Sequence, residues 1–325
     1  MPHQAPRDRD LRAEFIPKRI EEWAYWIEER ENIRRRREAR KLAPWTKDAA
    51  LACTRYCNVC RMDDKVSQWL INNWYSGQCN MRDRLLSALM ARMINRPETL
   101  AYINKDEPYD GWKYGQFYKR MYEVKASGES VFTNAYIING ASGGPKIDQV
   151  LNAISLAAER TKGDAKAERY VVPESMEQTA LRLHELPGVG SFIAGQVVAD
   201  LRHVIDGTKR VGGNWQDRML WAPVGPGSNR GMRYLLGVYN AADLAGRGGE
   251  MPQKVFTIKL QELVALAQRH TVVSTIFADR KLEAHDIQNT LCELGKYIRV
   301  RNGGHGKNGF DQKAAYRRDC ERNLL

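Results

Sequence analysis

Residues 179–204 read TALRLHELPGVGSFIAGQVVADLRHV. Two apolar-periodic segments flank Leu186-Pro187-Gly188-Val189-Gly190, so the stretch predicts a helix, a tight turn and a second helix that starts at once. Glycine suits positions 188 and 190 because such a turn needs positive φ and close backbone approach. The first amides of the second helix have no partner within it, and with the helix dipole they favour an anion such as a DNA phosphate. Gly188, Val189, Gly190 and Ser191 are therefore candidate DNA-binding residues.

Outward from this hairpin most of the chain also reads as helix. Ile20, Trp23, Trp26, Ile27 and Ile33 recur at helical spacing across 17–40, and Pro44 ends that pattern. A second helix is expected from a cap at 46–48 through about residue 76, and a third over 80–94. Segments 147–160, 174–185, 253–270 and 281–300 carry the same period. Strand signals are few, VFTNAYIING (131–140) and YVV (170–172) being the best. The expectation is a mainly all-α fold with few short strands. It forms a single large helical domain over 1–310, with the hairpin near 177–203 and a basic tail over 311–325.

The sequence has 325 residues, 51 Lys+Arg against 39 Asp+Glu, and a net charge of +12. At 43% hydrophobic residues it can bury a core, which excludes wholesale disorder. No apolar run approaches the roughly 18 residues of a transmembrane helix, and the charged first thirty residues hold no signal-peptide stretch. An intracellular protein is expected. Residues 201–235 hold six Lys/Arg against two acids, and 296–325 hold eight against three. Charge gathered in this way is the footprint of a polyanion, with nucleic acid first and a membrane surface second.

Six cysteines do not make a disulfide framework in a chain of this length. Cys53, Cys57 and Cys60 match the C-x3-C-x2-C spacing of radical-SAM iron–sulfur sites, but no repeated βα units accompany them. On one helix these three would share a buried face as small hydrophobes. A zinc site from Cys57, Cys60 and Cys79 lacks an evident fourth ligand. No metal or cofactor is expected.

A second glycine-rich turn, Gly225-Pro226-Gly227-Ser228-Asn229-Arg230-Gly231, opens a helix and has Arg218 near it. It reads either as a phosphate cradle or as a simple cap and turn. It is not a Walker loop, and neither GASGGPK (140–146) nor GHGKNG (304–309) fits GxxxxGK[ST].

The LPGVG turn with its two helices resembles the helix-hairpin-helix of DNA glycosylases, which implies a glycosylase-like helical fold. The lysine of bifunctional glycosylases is replaced here by Phe192. The position of their catalytic aspartate holds Arg210, with Asp200, Asp206 and Asp217 out of register.

A longer ordered set carries a closer resemblance. It comprises Pro44-Trp45-Thr46-x-Asp48, then Tyr56-Cys57-Asn58-Val59-Cys60-Arg61 with Asp64-Lys65-Val66-Ser67-x-Trp69-Leu70, and Phe132-Thr133-x-Ala135-Tyr136. It continues through the hairpin with Gln196 and Asp200-Leu201, then Asp217 and the 225–231 turn. It ends in Asp286-Ile287-Gln288, Leu291-Cys292-Glu293, Lys296-Tyr297 and Arg299. Over about residues 20–310 this resembles the phage amino acid:DNA transferases, or α-glutamyl/putrescinyl thymine pyrophosphorylases. Their helical domain is shared with 5-hydroxymethyluracil DNA kinases.

The resemblance implies a step of thymine hypermodification in the cytoplasm of an infected bacterium. Double-stranded DNA carrying 5-pyrophosphoryloxymethyluracil would exchange pyrophosphate for the amine of an amino acid or polyamine. Arg61, Arg218, Arg230 and Lys296, with Gly225, Gly227 and Ser228, would bind the departing pyrophosphate. A carboxylate among Asp64, Asp200, Asp217 and Glu293 would serve as base or amine anchor. Pyrophosphate itself can recruit Mg²⁺ without a resident metal site. Two other classes stand beside this reading: a base-excision glycosylase, and a non-catalytic DNA-binding protein.

Overall fold

The amphipathic pattern at 17–40 becomes a helix over Pro17–Glu38, with Pro17 in its first turn and Trp23, Trp26 and Ile27 fully buried. The computed structural model describes residues 6–75, 80–103, 113–133, 144–202, 205–206, 209–210, 215–245, 249 and 251–303. The chain divides into two compact units, one built from 1–63 and 218–325 and the other from 64–217, where a single helical domain is expected from the sequence.

The first unit opens with α1 (Pro6–Arg12), α2 (Pro17–Glu38) and α3 (Ala49–Cys53). The second unit holds α4 (Lys65–Trp69), α5 (Met81–Ile94), α6 (Pro97–Ile103), α7 (Tyr114–Ala126) and α8 (Lys146–Arg160). It continues with α9 (Asp164–Glu168), α10 (Met176–His184), α11 (Ser191–Leu201), β1 (Ile205–Asp206) and β2 (Lys209–Arg210). The first unit resumes with α12 (Pro226–Leu235), α13 (Gln253–Arg269), α14 (Thr271–Ile276) and α15 (Ala284–Arg301). The fold is all-α, as expected. Among the described residues the sole sheet is the antiparallel pair β1–β2, with Ile205 opposite Arg210.

In the first unit α15 is the central helix. Ile287, Leu291, Leu294 and Ile298 are wholly buried against Trp23 and Ile27 of α2, Met232 and Leu235 of α12, and Phe256 and Leu260 of α13. The one polar atom of Trp23 is satisfied inside this core, where its Nε1 donates to Thr290 at 2.9 Å. Gly231 lets α12 lie directly on α15, since a Cβ there would stand 2.1 Å from the Leu291 carbonyl oxygen.

In the second unit α5 is capped by the Asn80 side chain, which accepts from Asp83 N at 2.9 Å. Every residue from Leu85 to Ile94 is buried. The hairpin follows the sequence closely. Ser175 caps α10, Gly188 takes φ +75°, and α11 begins at Ser191. Gly188 also abuts α8, for a Cβ there would lie 2.5 Å from Ala153 Cβ. Positive φ and lack of space both require glycine at 188.

Two expectations are corrected. Residues 170–172 form no strand, and of the strand expected at 131–140 only 131–133 are described, also without strand pairing. The helix expected from 46 to about 76 is broken. It stops at Cys53, where Thr54 is extended (φ −123°, ψ 139°), and runs irregularly to a 3₁₀ turn at Arg61–Asp63. Helical backbone resumes only at α4, which passes into a π turn at Leu70–Trp74. Cys57 and Cys60 therefore do not share a helix face, and Cys57 is exposed while Cys60 is buried. Cys79, the 304–309 loop and the 311–325 tail lie outside the described residues.

Candidate functional site

The broken helix is explained by α15. Four of its side chains, spaced three, four and three residues apart, take up the backbone of residues 55–61. Asp286 Oδ1 accepts from Arg61 N at 2.9 Å, and Asn289 Nδ2 donates to the Asn58 carbonyl at 3.0 Å. Glu293 Oε2 accepts from Cys57 N at 3.2 Å, and Lys296 Nζ donates to the Arg55 carbonyl. On the far side of the segment Arg30 of α2 donates to the carbonyls of Cys57 (3.0 Å) and Tyr56 (3.3 Å) and to Asn58 Oδ1. Backbone groups that a helix would satisfy internally are satisfied here by side chains. The period of residues 49–60 carries no trace of those partners.

The cradle at α12 rests on the same helix. Gly225 is extended, its N–H donates to Ser228 Oγ at 3.0 Å, and Ser228 Oγ returns a bond to the Gly225 carbonyl at 3.1 Å. Ser228 is completely buried and also accepts from Gln288 Nε2 at 3.2 Å. Ser228 thus acts as a cap inside the turn. Gly227 permits contact with α15, since a Cβ there would come within 3.0 Å of Cys292 Sγ. The ten-residue α12 presents the positive end of its dipole at this turn.

Electrostatics define the group around that turn. Burial pushes the Cys292 thiol up to about 12, and Glu293 adds to the rise. Arg61, Ser228 and Arg230 act on the same thiol in the opposite direction. Arg299 is held below its ordinary range by burial and by Arg230, with Tyr56 and Glu293 opposing. Lys296 Nζ lies 4.6 Å from the Tyr56 ring centroid and 3.4 Å from Glu293. Beside the head of α12, Arg61, Arg230 and Glu293 thus all act on Cys292, Lys296 pairs with Glu293, and Arg299 feels Arg230, while Asp286 accepts from the Arg61 amide. Such an arrangement suits a multiply charged anion.

The remaining expected site residues make contacts of their own. Arg218 pairs with Glu283, at the cap of α15. Glu283 stands ten residues from Glu293, about 15 Å along a helix. Asp64, Asp200 and Asp217 belong to the second unit, apart in the chain's division from Glu293. Asp200 is 6% exposed; both of its oxygens accept from Arg92 (Nε at 2.6 Å), and Tyr75 Oη donates to it at 2.7 Å. Asp217 caps α10 by accepting from Ser175 Oγ (2.8 Å), Met176 N (2.8 Å) and Glu177 N (3.0 Å). Asp64 stands at the N-cap of α4. Gly190 and Ser191 at the hairpin are exposed, whereas Val189 is buried.

Sequence reasoning assigned no task to Asp286, Asn289 or Arg30. The signal for the two on α15 is a polar stripe at 286, 289, 293 and 296. No group of three or more His, Cys, Asp or Glu side chains among the described residues is arranged to hold a metal ion. No described helix is long and apolar enough to cross a membrane.

The family described as "5-hmdU DNA kinase, helical domain" matches residues 18–306. The chain belongs to this family. A 5-hmdU DNA kinase of Bacillus phage SP10 is 27% identical over 298 residues, which cover 83% of this chain and 43% of the relative. The chain thus spans less than half the length of that relative. No solved structure matches. The α12 cradle, the 55–61 segment and the hairpin all fall within the matched helical domain of the 5-hmdU DNA kinase family.

Proposed function

We propose that the protein is a DNA-modifying transferase of phage thymine hypermodification. The amine nitrogen of an amino acid or polyamine attacks the exocyclic methylene of 5-pyrophosphoryloxymethyluracil in duplex DNA. The carbon–oxygen bond to pyrophosphate breaks as the carbon–nitrogen bond forms, the amine gives up a proton, and pyrophosphate departs. The observation that carries this reading is the gathering of Arg61, Arg230, Lys296 and Arg299 at the head of α12 beside Glu293. Cations outnumbering the carboxylates Glu293 and Asp286 among the described residues there suit the charge that develops on a leaving pyrophosphate. Glu293 is the acid in that group placed to receive the amine's proton or hold the amine.

The kinship supports the substrate class, since the Bacillus phage SP10 relative is named for acting on 5-hmdU in DNA. The hairpin residues Gly188, Val189, Gly190 and Ser191 would hold the DNA backbone. The target base would leave the stack to reach the site.

The test is incubation with duplex DNA containing 5-pyrophosphoryloxymethyluracil and a mixture of amino acids and putrescine. Nucleoside mass spectrometry is expected to show an amine-linked thymidine, with stoichiometric pyrophosphate released. Absence of both products overturns the reading. A parallel reaction with ATP and 5-hydroxymethyluracil DNA detects a kinase, and free base or an abasic site detects a glycosylase.

A further inference from the structure

The second unit carries a concentration of charge outside the hairpin. Arg160, Lys166, Arg169, Tyr170, Arg182 and Glu185 line an open depression of about 70 Å³. They come from the end of α8, from α9 and the turn after it, and from the last turn of α10 with the residue beyond it. Four cations thus face one carboxylate and one phenol.

A simpler account is that each cation complements the dipole of its own helix end. It fits Arg160 and Arg182, in the last turns of α8 and α10, but not Lys166 and Arg169. Arg160 does donate to a terminal carbonyl, that of Glu185, at 3.2 Å. Lys166, Arg169 and Arg182 make no ion pair or side-chain hydrogen bond among the described residues, and all three are exposed. Helix α9 is only five residues long and has little dipole to offset. The depression therefore keeps most of its positive charge available.

Its frame is firm. Ala167 between the cations is fully buried, Tyr170 N donates to the Ala167 carbonyl at 3.0 Å, and Val172 N donates to Thr179 Oγ1 at 3.0 Å. Glu185, on the rim, is three residues before Gly188. The depression thus adjoins the hairpin along the chain.

We propose that this depression seats a phosphodiester group of the DNA backbone, beside the strand held by the hairpin. The inference rests on the DNA-acting reading above and names a second anchoring point for the same duplex. Guanidinium and ammonium groups bind phosphate without reading sequence, and Tyr170 adds a hydroxyl for a phosphate or sugar oxygen. The partner is thus recognised by its regular spacing of negative charge.

The experiment uses the full chain and a fluorescent duplex titrated at several salt concentrations. In the triple variant Lys166→Gln/Arg169→Gln/Arg182→Gln the affinity is expected to fall about tenfold or more. The slope of log Kd against log salt should shrink by about 0.9 for each phosphate no longer neutralised. A control with equal removal of charge on exposed residues of the first unit, Lys254→Gln/Arg269→Gln/Lys281→Gln, should bind nearly as the parent does. Unchanged affinity and slope in the first variant overturn the proposal while leaving the transferase reading intact; so does an equal weakening in the control. If the first variant instead binds inorganic pyrophosphate less tightly but duplex as before, the depression serves a free anion and the proposal fails. A parent protein that binds no duplex removes both readings. Arg169→Gln and Arg182→Gln measured singly give the same decision should the triple variant not fold.

Discussion

A methyl group on Gly231 would stand 2.1 Å from the carbonyl oxygen and 3.0 Å from the Cα of Leu291. Both atoms are backbone at the centre of α15, so no side chain can rotate aside to make room. Helix α12 reaches its position on α15 only because residue 231 has no Cβ, and the head of α12 carries the candidate site. Gly231→Ala should therefore lower stability by about 1–3 kcal/mol or prevent folding. Gly227→Ala, which meets the Cys292 side chain at 3.0 Å, should be milder and improve with Cys292→Ala. Thermal denaturation of the three variants checks the order, and an undiminished Tm for Gly231→Ala would refute the packing.

Asp200 and Arg92 form a buried bidentate pair completed by Tyr75. Removing the carboxylate leaves a guanidinium charge uncompensated, at a cost of about 3–5 kcal/mol. Asp200→Ala should consequently be destabilised before it is inactive, and Arg92→Met/Asp200→Leu should recover much of the stability. Urea denaturation separates this from a role in chemistry. A stable but inactive Asp200→Ala would instead point to direct participation in turnover.

Cys60 and Cys292 are each pushed from 9.0 up to about 12, by burial first and then by Asp286 and Glu293 respectively. A thiol whose value is raised on folding stabilises the native state below its unfolded value. That contribution is lost as pH rises through the folded value. Stability should accordingly decline between pH 9 and 12, by up to about 1.4 kcal/mol per pH unit for each group. At pH 8 iodoacetamide should label exposed Cys57 first, half-buried Cys292 more slowly, and buried Cys60 only once urea is added. Rapid labelling of Cys60 in the native protein would contradict its burial.

Arg61 and Arg230 both act on the Cys292 thiol from the head of α12. Arg61→Gln and Arg230→Gln should each weaken product inhibition by pyrophosphate about 10- to 100-fold, the worth of one charged hydrogen bond. Arg218→Gln, whose guanidinium is paired with Glu283, should change inhibition much less. Equal effects at all three positions would disperse the proposed group.

Much of the helical framework was legible because burial on one face imposes a 3.6-residue period on the chain. The patterns at 17–40, 80–94, 147–160, 253–270 and 281–300 became α2, α5, α8, α13 and α15. The glycines of the hairpin were legible too, through the steric demand of a tight turn. Residues 54–60 were not. Their period reads as helix, yet Asp286, Asn289, Glu293 and Arg30 compete for their backbone from more than twenty residues away.

The candidate site divides along the same line. The resemblance of the ordered motifs pointed to Arg61, Arg218, Arg230 and Lys296 as cations, to one carboxylate among Asp64, Asp200, Asp217 and Glu293, and to Gly225, Gly227 and Ser228 as a turn. Which of these side chains meet was decided by α12 lying against α15, and which carboxylates are occupied was decided by Arg92 and the amides of α10. Local pattern reports how a segment wants to fold because its forces act between near neighbours. Partnership between charges depends on distance in space, and only the packed chain sets that.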